Sequence, residues 1–459
     1  MSQTAAQARR SRTRVNTQEG KRVYDLDRAH VFHSWSAQGA LAPMTVAGAE
    51  GSWVWDYEGN RFLDISSQLV NVNIGHQHPR VVKAIADQAA VLATISPNHA
   101  NDKRGEAAQR ITSLAPSNLN KVFFTNGGAD AVENAIRMAR IHTGKRKVLS
   151  FYRSYHGNTG AAIASTGDPR RWPNEYADGH VHFFGPHLYR SSFWATTPEQ
   201  ECERALAHLE QVIQFEGPGT IAALLLETVV GTAGILVPPP GYLEGVRELC
   251  NRYGIVWIAD EVMCGFGRTG AWFAFDHFGA QPDLITFAKG VNSGYVPVGG
   301  VVISNEIAAT FDTQVFPGGL TYSGHPLAAA SIVATLDAMK DEGIVENAGM
   351  IGEDVLGPGL RNLQEKHKVI GEVRGLGVFW ALELVTDRDT KEPLAPYGGS
   401  SPAMNEFIGA CKDNGLLPFA NYNRLHVVPP CTITADEANE ALVRLDRALA
   451  VTSKHYVGA

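Results

Sequence analysis

Hydrophobic and polar positions alternate along Ser52–Asp64 (SWVWDYEGNRFLD), the first clearly patterned stretch of the chain. Alternation from one residue to the next is typical of strands that bury one face, and Gly59-Asn60 in the middle favours a tight turn. We therefore predict a β-hairpin here. The chain before it begins with a basic stretch rich in Ser, Thr and Gln, which predicts a flexible tail over residues 1–20.

From about residue 75 the pattern changes to short strands that are apolar throughout, separated by stretches with helical periodicity. Strands buried on both faces and joined by helices are typical of a parallel sheet that helices cover on each side. The helical stretches include Ala129–Arg140 and Gly241–Tyr253. The predicted strands are Lys121–Thr125, Val148–Phe151, Ile221–Leu226, Ile255–Ala259 and Leu284–Phe287.

The last third of the chain predicts a second, smaller α+β unit. Helical patterns after about residue 330 lead to the strand-like stretches Val373–Glu383 and Leu425–Val428, and then to a final helix from Ala435. We expect the N-terminal hairpin to join this unit. The predicted organisation is a tail of residues 1–20, a large domain of residues 75–335, and a small domain built from residues 21–74 and 336–459.

Composition narrows the classes of function. The 459 residues are 44% hydrophobic and 19% charged, with a net charge of −7 and scattered basic residues, which excludes nucleic-acid and anionic-membrane partners. The longest apolar runs are too short to span a bilayer, and the basic N-terminus lacks the apolar stretch of a signal peptide. Five widely spaced cysteines without a CxxC pair predict free thiols in the cytoplasm and no metal site.

Candidate chemistry follows the ends of the predicted strands, where open parallel sheets bind their ligands. Glu227, Asp260 and Lys289 come directly after, or one residue beyond, three of the strands, and Tyr155-His156 follows a fourth. A buried acid needs a partner, which a cationic ring nitrogen or a structural arginine can supply. A lysine buried at such a strand end would have a lowered pKa and react with a carbonyl group, although a lysine reaching the surface is the alternative.

A small-residue turn, Gly127-Gly128-Ala129, joins one predicted strand to a helix. Small residues allow backbone N–H groups to converge on an anion at the positive end of a helix, which suits a phosphate, but a tight turn without a ligand fits as well. The stretch Gly265–Gly270 matches G-x-G-x-x-G, yet it does not follow its strand directly and an aromatic stretch comes after it. We therefore exclude NAD binding.

Several segments together resemble one family. DEVMCGFGRTG at 260–270 and PDLITFAKG at 282–290 are accompanied, in family order, by NGGADAVENAIRMAR, SYHGNT, TYSGHPLAAA and VRGLGVFWALEL. From about residue 20 to the C-terminus the chain is similar to class III aminotransferases. The resemblance implies pyridoxal 5′-phosphate (PLP) as cofactor and an α/β structure of PLP fold type I. In that fold, a large domain with a central, mostly parallel sheet carries a smaller α+β domain.

The resemblance also implies roles for residues at matching positions. Lys289 matches the catalytic lysine that binds PLP as a Schiff base and moves a proton, and Asp260 matches the carboxylate that keeps the ring nitrogen protonated. Thr321 matches a hydroxyl that reaches the phosphate of the neighbouring subunit, which implies a homodimer. The other implied cofactor contacts are Gly127, Gly128 and Ala129 at the phosphate, Tyr155 stacked on the ring with His156 beside it, Val262 on the opposite face, and Glu227 near O3′.

The implied reaction is the transfer of an amino group by a ping-pong mechanism. The donor would be a primary amine, an ω-amino acid or a taurine-like compound, and the acceptor a 2-oxo acid, with pyruvate favoured and 2-oxoglutarate possible. Trp35, Val70 and Tyr155 are the expected pocket walls, although Trp35 would equally suit the core. Arg424, shortly before Pro429-Pro430, resembles a carboxylate-binding arginine, and an exposed arginine capping a strand is the alternative.

Two other functions remain open at this stage. A PLP-dependent aminomutase, racemase or decarboxylase would use the same cofactor residues, and a requirement for an oxo acid during turnover would separate it from an aminotransferase. A PLP-binding regulator or inactive scaffold is disfavoured, because no basic DNA-binding segment is present and both Lys289 and Asp260 are intact.

Overall fold

Three β-sheets organise the computed structural model, which describes residues 15–174 and 177–458. The strands are β1 (Val46–Glu50), β2 (Trp53–Asp56), β3 (Arg61–Asp64), β4 (Leu119–Thr125), β5 (Lys147–Phe151), β6 (His180–Phe183), β7 (Ile221–Glu227), β8 (Val256–Asp260), β9 (Leu284–Phe287), β10 (Gly299–Ser304), β11 (Ile370–Leu376), β12 (Phe379–Asp387), β13 (Glu392–Pro393), β14 (Leu416–Leu417), β15 (Phe419–Asn421) and β16 (Arg424–Val427).

Helices connect these strands and cover the sheets. They are α1 (Thr17–His30), the helical turn α2 (Ser67–Val70), α3 (Pro79–Val91), α4 (Asp102–Leu114), α5 (Gly128–Thr143), α6 (Gly160–Ser165), α7 (Pro198–Glu216), α8 (Tyr242–Tyr253), α9 (Asn305–Ala309), α10 (Pro326–Asp341), α11 (Ile344–Ile351), α12 (Gly357–Lys366), α13 (Pro402–Asp413) and α14 (Ala435–Thr452). Among the described helices, none is long and apolar enough to cross a membrane.

The central sheet has seven strands in the order β4-β10-β9-β8-β7-β5-β6. The five strands β6, β5, β7, β8 and β9, which are neighbours in that order, run parallel to one another. Strand β10 runs antiparallel to both of its neighbours, β9 and β4. Every residue of β7, β8, β9 and β10 is buried, as expected where helices such as α5 cover the sheet. The five predicted strands are confirmed to within two residues at each end, and the mostly parallel sheet agrees with fold type I.

Residues from both ends of the chain build the second sheet. The predicted hairpin is confirmed, because β2 pairs antiparallel with β3 and Trp53 lies opposite Leu63. Strand β14, more than 350 residues further along, pairs in parallel with β3 and places Leu416 opposite Leu63. The third sheet, β11-β12-β16-β15, contains the two C-terminal strand-like stretches. The stretch Val373–Glu383, predicted as a single strand, lies in two antiparallel strands, β11 and β12. The boundaries of the large and small domains stay a prediction.

Part of the predicted tail is helical. Residues Thr17–Gly20 belong to helix α1, which begins after Asn16 because the Asn16 side chain accepts a hydrogen bond from the Glu19 N–H at 3.1 Å. Residues 1–14 of the predicted tail lie outside the described residues. The final helix from Ala435 is confirmed, and Thr434 starts it as part of a capping box.

The G-x-G-x-x-G stretch, 265–270, forms a buried junction between distant parts of the chain. Arg268 is fully buried, and its guanidinium donates hydrogen bonds to the carbonyl of Pro429, to the carbonyl of Val378 at 3.3 Å and to Oδ1 of Asn73 at 2.6 Å. Three segments that are far apart in sequence therefore depend on one side chain.

Candidate active site

Neighbouring strands of the central sheet bring three ionisable side chains to one edge. Glu227 ends β7, Asp260 ends β8, and Lys289 lies two residues after β9. Glu227 and Asp260 are opposite each other in the register of the two strands. The backbone of Lys289 is left-handed, with φ +41°, a strained conformation that is found at functional sites more often than elsewhere.

Asp260 is 3% exposed and held by three donors. Its Oδ2 lies 2.6 Å from Nδ1 of His156, and its Oδ1 accepts hydrogen bonds from the Val262 N–H at 3.1 Å and the Thr286 hydroxyl at 3.2 Å. Among the described residues, no arginine pairs with Asp260, so the structural ion pair considered above is not formed. A carboxylate has about four acceptor positions, which leaves one for a further donor such as a cationic ring nitrogen.

The amino group of Lys289 has no hydrogen-bond partner among the described side chains. Burial lowers the pKa of Lys289 below its ordinary value, and the nearby carboxylates of Glu227 and Asp260 offset only part of this effect. A lysine with a lowered pKa is neutral more of the time, and the neutral amine is the form that attacks a carbonyl carbon.

Glu227 connects the Tyr155 loop to the strand ends. Its Oε1 accepts a hydrogen bond from the Tyr155 N–H at 2.9 Å, and its Oε2 accepts one from the Gly231 N–H at 2.8 Å. Burial raises the pKa of Glu227, and the negative charge of Asp260 raises it further. Glu227 therefore acts on the site by holding the backbone beside Asp260 in place.

The ring of Tyr155 carries a cation on one face. The guanidinium carbon of Arg170 lies 3.5 Å from the ring centroid, a cation–π contact. Arg170 is also paired with both carboxylate oxygens of Asp168, with Nε 2.9 Å from Oδ2. The sequence gives no signal for Arg170, because its contact with Tyr155 depends on how the chain folds back after α6. The stacking of Tyr155 on the cofactor stays a prediction.

The N-terminus of α5 faces open space beside these groups. A Cβ added to Gly127 would meet nothing within 4 Å, whereas one on Gly128 would lie 2.9 Å from Cγ1 of Val262. Val262, bonded to Asp260 through its backbone, therefore packs directly against the helix start that contains Ala129. The first N–H groups of a helix have no partner within it, so the start of this 16-residue helix could bind an anion. An anion site, a buried carboxylate with a free acceptor position and an unpaired lysine amine together fit PLP.

Three of the predicted site residues form no hydrogen bond with this group among the described residues, and their surroundings differ. Thr321 is exposed on the surface, and its hydroxyl makes no hydrogen bond within the described part of the chain. Trp35 is 66% exposed, so it does not belong to the core. Val70 is buried in an apolar cluster with Val229 and Met263. The pocket-wall roles of Trp35 and Val70 therefore stay predictions.

Arg424 is buried, which makes the alternative of an exposed strand cap wrong. Its guanidinium donates hydrogen bonds to the carbonyl of Ala233 and, at 3.3 Å, to that of Asn421. Burial lowers the pKa of Arg424 to about 10. The side chain lines a cavity of about 320 Å³ together with residues of the loops after β5 and β6.

Comparison with known proteins gives a consistent result. A taurine–pyruvate aminotransferase of Rhodobacter capsulatus is 36% identical over 424 residues, which cover 87% of this chain and 89% of that protein. A putrescine–pyruvate aminotransferase of Pseudomonas aeruginosa is 33% identical over 421 residues, 89% of this chain and 91% of that protein. The crystal structure of taurine:2-oxoglutarate aminotransferase from Bifidobacterium kashiwanohense, solved with PLP and glutamate, is 40% identical, with a TM-score of 0.93 over 95% of this chain and 99% of that one.

The family comparison covers most of the chain. Residues 35–449 match the sequence model of a protein family described as "Aminotransferase class-III". The similarity to PLP-bound structures confirms both fold type I and the cofactor. The chain belongs to the class III aminotransferases, which are PLP-dependent enzymes.

Proposed function

We propose that this aminotransferase moves an amino group from a primary amine, an ω-amino acid or a taurine-like sulfonate to pyruvate or 2-oxoglutarate. The observation that carries the proposal is the pair of groups at the sheet edge, Asp260 with a free acceptor position and Lys289 with an unpaired amine. The relatives support the substrate classes, because their names specify taurine or putrescine as donor and pyruvate or 2-oxoglutarate as acceptor.

Each residue of the site has a defined task in this reaction. PLP, when bound, supplies a carbonyl carbon that a lysine can hold and a ring that withdraws electrons from the reacting carbon. Lys289 Nζ would hold the cofactor and, once released, carry a proton to and from the substrate. Asp260, fixed by His156, would keep a proton on the ring nitrogen. The N–H groups at the start of α5 would bind the phosphate.

The absorbance spectrum of the purified holoenzyme tests the proposal. A primary amine added without oxo acid should convert the yellow protein to the pyridoxamine form, and pyruvate or 2-oxoglutarate should restore the yellow colour and identify the acceptor. Lys289→Ala should not complete this half-reaction. A yellow protein that binds amines but never reaches the pyridoxamine form would contradict amino transfer and favour an aminomutase, racemase or decarboxylase.

We also propose that the enzyme is a homodimer in which Thr321 serves the neighbouring active site. The exposure of Thr321 and of the adjacent Tyr322, which is 65% exposed, supports this arrangement, since both side chains are available to a second copy. Sedimentation should give twice the chain mass of 49.6 kDa. Thr321→Val should lower the affinity for PLP without changing that mass, and a fully active monomer would contradict the proposal.

A further inference from the structure

The loop between β5 and α6, residues 152–159, is held in place by the segment that follows α6. The Thr166 hydroxyl accepts a hydrogen bond from the His156 N–H at 3.0 Å. The Gly167 N–H donates to the carbonyl of Ser154, also at 3.0 Å. Two consecutive residues after α6 therefore bind two residues of the loop that carries part of the active site.

Gly167 allows these two segments to approach very closely. A Cβ added at this position would lie 2.0 Å from the carbonyl oxygen of Phe151 and 2.7 Å from Cα of Tyr152. Any residue other than glycine would have to push the segments apart, because the added atom would overlap main-chain atoms. The residues that follow Gly167 are therefore brought directly beside the loop.

Asp168, the next residue, holds Arg170 in two ways. Its Oδ1 accepts a hydrogen bond from the Arg170 N–H at 2.9 Å, which starts the helical turn Pro169–Arg171. Its carboxylate also accepts hydrogen bonds from the Arg170 guanidinium, with Nε 3.1 Å from Oδ1 and 2.9 Å from Oδ2. Asp168 is only 6% exposed, so the pair is anchored on a buried carboxylate. The guanidinium is therefore held in one orientation.

This guanidinium covers one face of the Tyr155 ring. Its central carbon lies 3.5 Å from the ring centroid, close enough for the flat cation to rest on the ring. The main chain of Tyr155 is fixed as well, because its N–H donates to Oε1 of Glu227 at 2.9 Å. With its backbone and one face both held, the ring keeps its plane, and only its opposite face can stack on a flat ligand.

The charge of Arg170 also acts on Lys289. Burial is the largest effect and lowers the pKa of Lys289, and Arg170 lowers it further. The groups that raise this pKa are Glu227, Asp260 and Cys264. Arg170 therefore opposes the nearby acids and favours the neutral amine, which is the form that reacts with a carbonyl carbon.

We propose that Arg170 is a positioning residue of the active site, which fixes the plane of the Tyr155 ring and places a positive charge near Lys289. The proposal rests on the part of the proposed function in which Lys289 holds PLP and Tyr155 stacks on its ring. It does not depend on which amine or oxo acid the enzyme uses. An ion pair that only stabilised its own loop would change neither the binding of PLP through Tyr155 nor the charge of Lys289.

A double-mutant cycle in the apoenzyme tests the first task. Arg170→Gln should lower the affinity for PLP about 3- to 10-fold, the range of a single cation–π contact. Tyr155→Leu should lower the affinity too, and adding Arg170→Gln to it should cause no further loss, because the ring is gone. A fluorescence titration with PLP measures all four proteins. Losses that simply add would overturn the proposal. An unchanged affinity in Tyr155→Leu would overturn it as well, by refuting the stacking.

The charge of Lys289 in the apoenzyme tests the second task. Arg170→Gln should raise the pKa of Lys289, because a nearby positive charge is lost. Asp168→Asn should lower this pKa, because Arg170 loses its counter-charge. The rate at which acetic anhydride modifies Lys289, followed by peptide mass spectrometry as a function of pH, measures both. Shifts of the same sign would overturn the proposal, since a loosened loop would affect both variants alike.

Arg170→Lys keeps the proposal testable if the glutamine variant does not fold. Lysine retains the positive charge but lacks the flat guanidinium, so the affinity for PLP should fall while the pKa of Lys289 stays near that of the wild type. An unchanged affinity would overturn the positioning role. Arg361→Gln is the matched control and should change neither property. Arg361 is exposed on α12, and its guanidinium carbon lies 5.5 Å from the ring centroid of Trp380.

Failure of this proposal can be distinguished from failure of the proposed function. A wild-type enzyme that binds PLP but never transfers an amino group would refute the proposed function, and the titrations of the apoenzyme would still report on Arg170. Additive losses in the cycle would overturn the role of Arg170 and leave amino transfer intact.

Discussion

At the scale of single residues, the three donors that hold Asp260 come from three different segments of the chain. His156 belongs to the loop after β5, Val262 follows β8, and Thr286 lies on β9. The carboxylate can therefore neither rotate nor move toward solvent. One acceptor position of the carboxylate remains, and the role proposed for Asp260 depends on its negative charge.

Asp260→Asn separates charge from shape. Asparagine fills the same space but cannot keep a proton on the cofactor's ring nitrogen, so kcat should fall by about a thousandfold or more, several kcal/mol of transition-state stabilisation. Steady-state kinetics with a saturating donor would measure the loss. Asp337→Asn, which removes a partly exposed acid paired with Arg110, is the control and should leave kcat unchanged. A fall of less than about tenfold in Asp260→Asn would show that the carboxylate is structural.

Sequence alone predicts Asp260 and Lys289 as candidate site residues but does not predict Arg153 and Arg170. Asp260 and Lys289 are recognisable because each follows an apolar strand, and Thr286 is a polar residue within such a strand. Arg153 and Arg170 give no comparable signal, because their partners, His187 and the ring of Tyr155, come within reach only through loop conformation.

At the scale of elements, the start of helix α5 is tied to the loop that contains Tyr155. Glu133, in the second turn of the helix, accepts hydrogen bonds from the Thr159 hydroxyl at 2.8 Å and the Ala162 N–H at 3.0 Å. Gly157, with φ +131°, allows this loop to approach so closely that an added Cβ would lie 2.6 Å from Cβ of Ala129. The position of the start of α5 therefore depends on a glycine outside the helix.

Gly157→Ala should displace the N-terminus of α5. The new methyl group would collide with Ala129, and alanine would be strained in the backbone conformation of Gly157. The affinity of the apoenzyme for PLP should therefore fall about 10- to 100-fold. A fluorescence titration with PLP would measure it. Gly160→Ala is the matched control, because its nearest neighbour would be Oε1 of Glu133 at 3.7 Å, and its affinity should be unchanged. Equal affinities of the two variants would contradict this role of Gly157.

Periodicity predicts most elements of the large sheet but misses two of its strands, β6 and β10. Strand β6 carries His180 and His182 at alternate positions and borders the sheet, so it lacks a continuous apolar run. Strand β10 begins with Gly299 and Gly300, which lie too close to Gly127 and Phe287 for any side chain. Glycines are also typical of turns, so a sequence pattern cannot distinguish glycines that close packing requires within a strand.

At the scale of the whole molecule, Glu383 connects the third sheet to the loops of the central sheet. Its carboxylate is 3% exposed and pairs with Arg374 on β11 and with Arg190 in the loop after β6. The folded protein holds the pKa of Glu383 at about 2, against an ordinary value of 4.5. A group with a lowered pKa stabilises the folded state above its ordinary pKa, and this stability is lost as the pH falls toward the lowered value.

Glu383 should therefore contribute on the order of 3 kcal/mol above about pH 4.5 and progressively less down to about pH 2. Glu383→Gln should melt well below the wild type at pH 7, and the difference in Tm should shrink as the pH is lowered to about 3. Differential scanning calorimetry would measure both. Glu440→Gln, from a half-exposed pair with Arg444, is the control and should show only a small difference in Tm at pH 7. A constant gap for Glu383→Gln would refute the assignment.

Two features joining the ends of the chain also limit how such enzymes can be recombined. Strand β14 completes the sheet of the N-terminal hairpin, and Arg268 bonds Asn73, Val378 and Pro429 at once. A chimaera that replaced only the C-terminal third with that of a relative would have to form both contacts across mismatched parental surfaces. Exchanging residues 46–76 together with 368–458 would take the hairpin, β14 and the acceptors of Arg268 from the same parent protein.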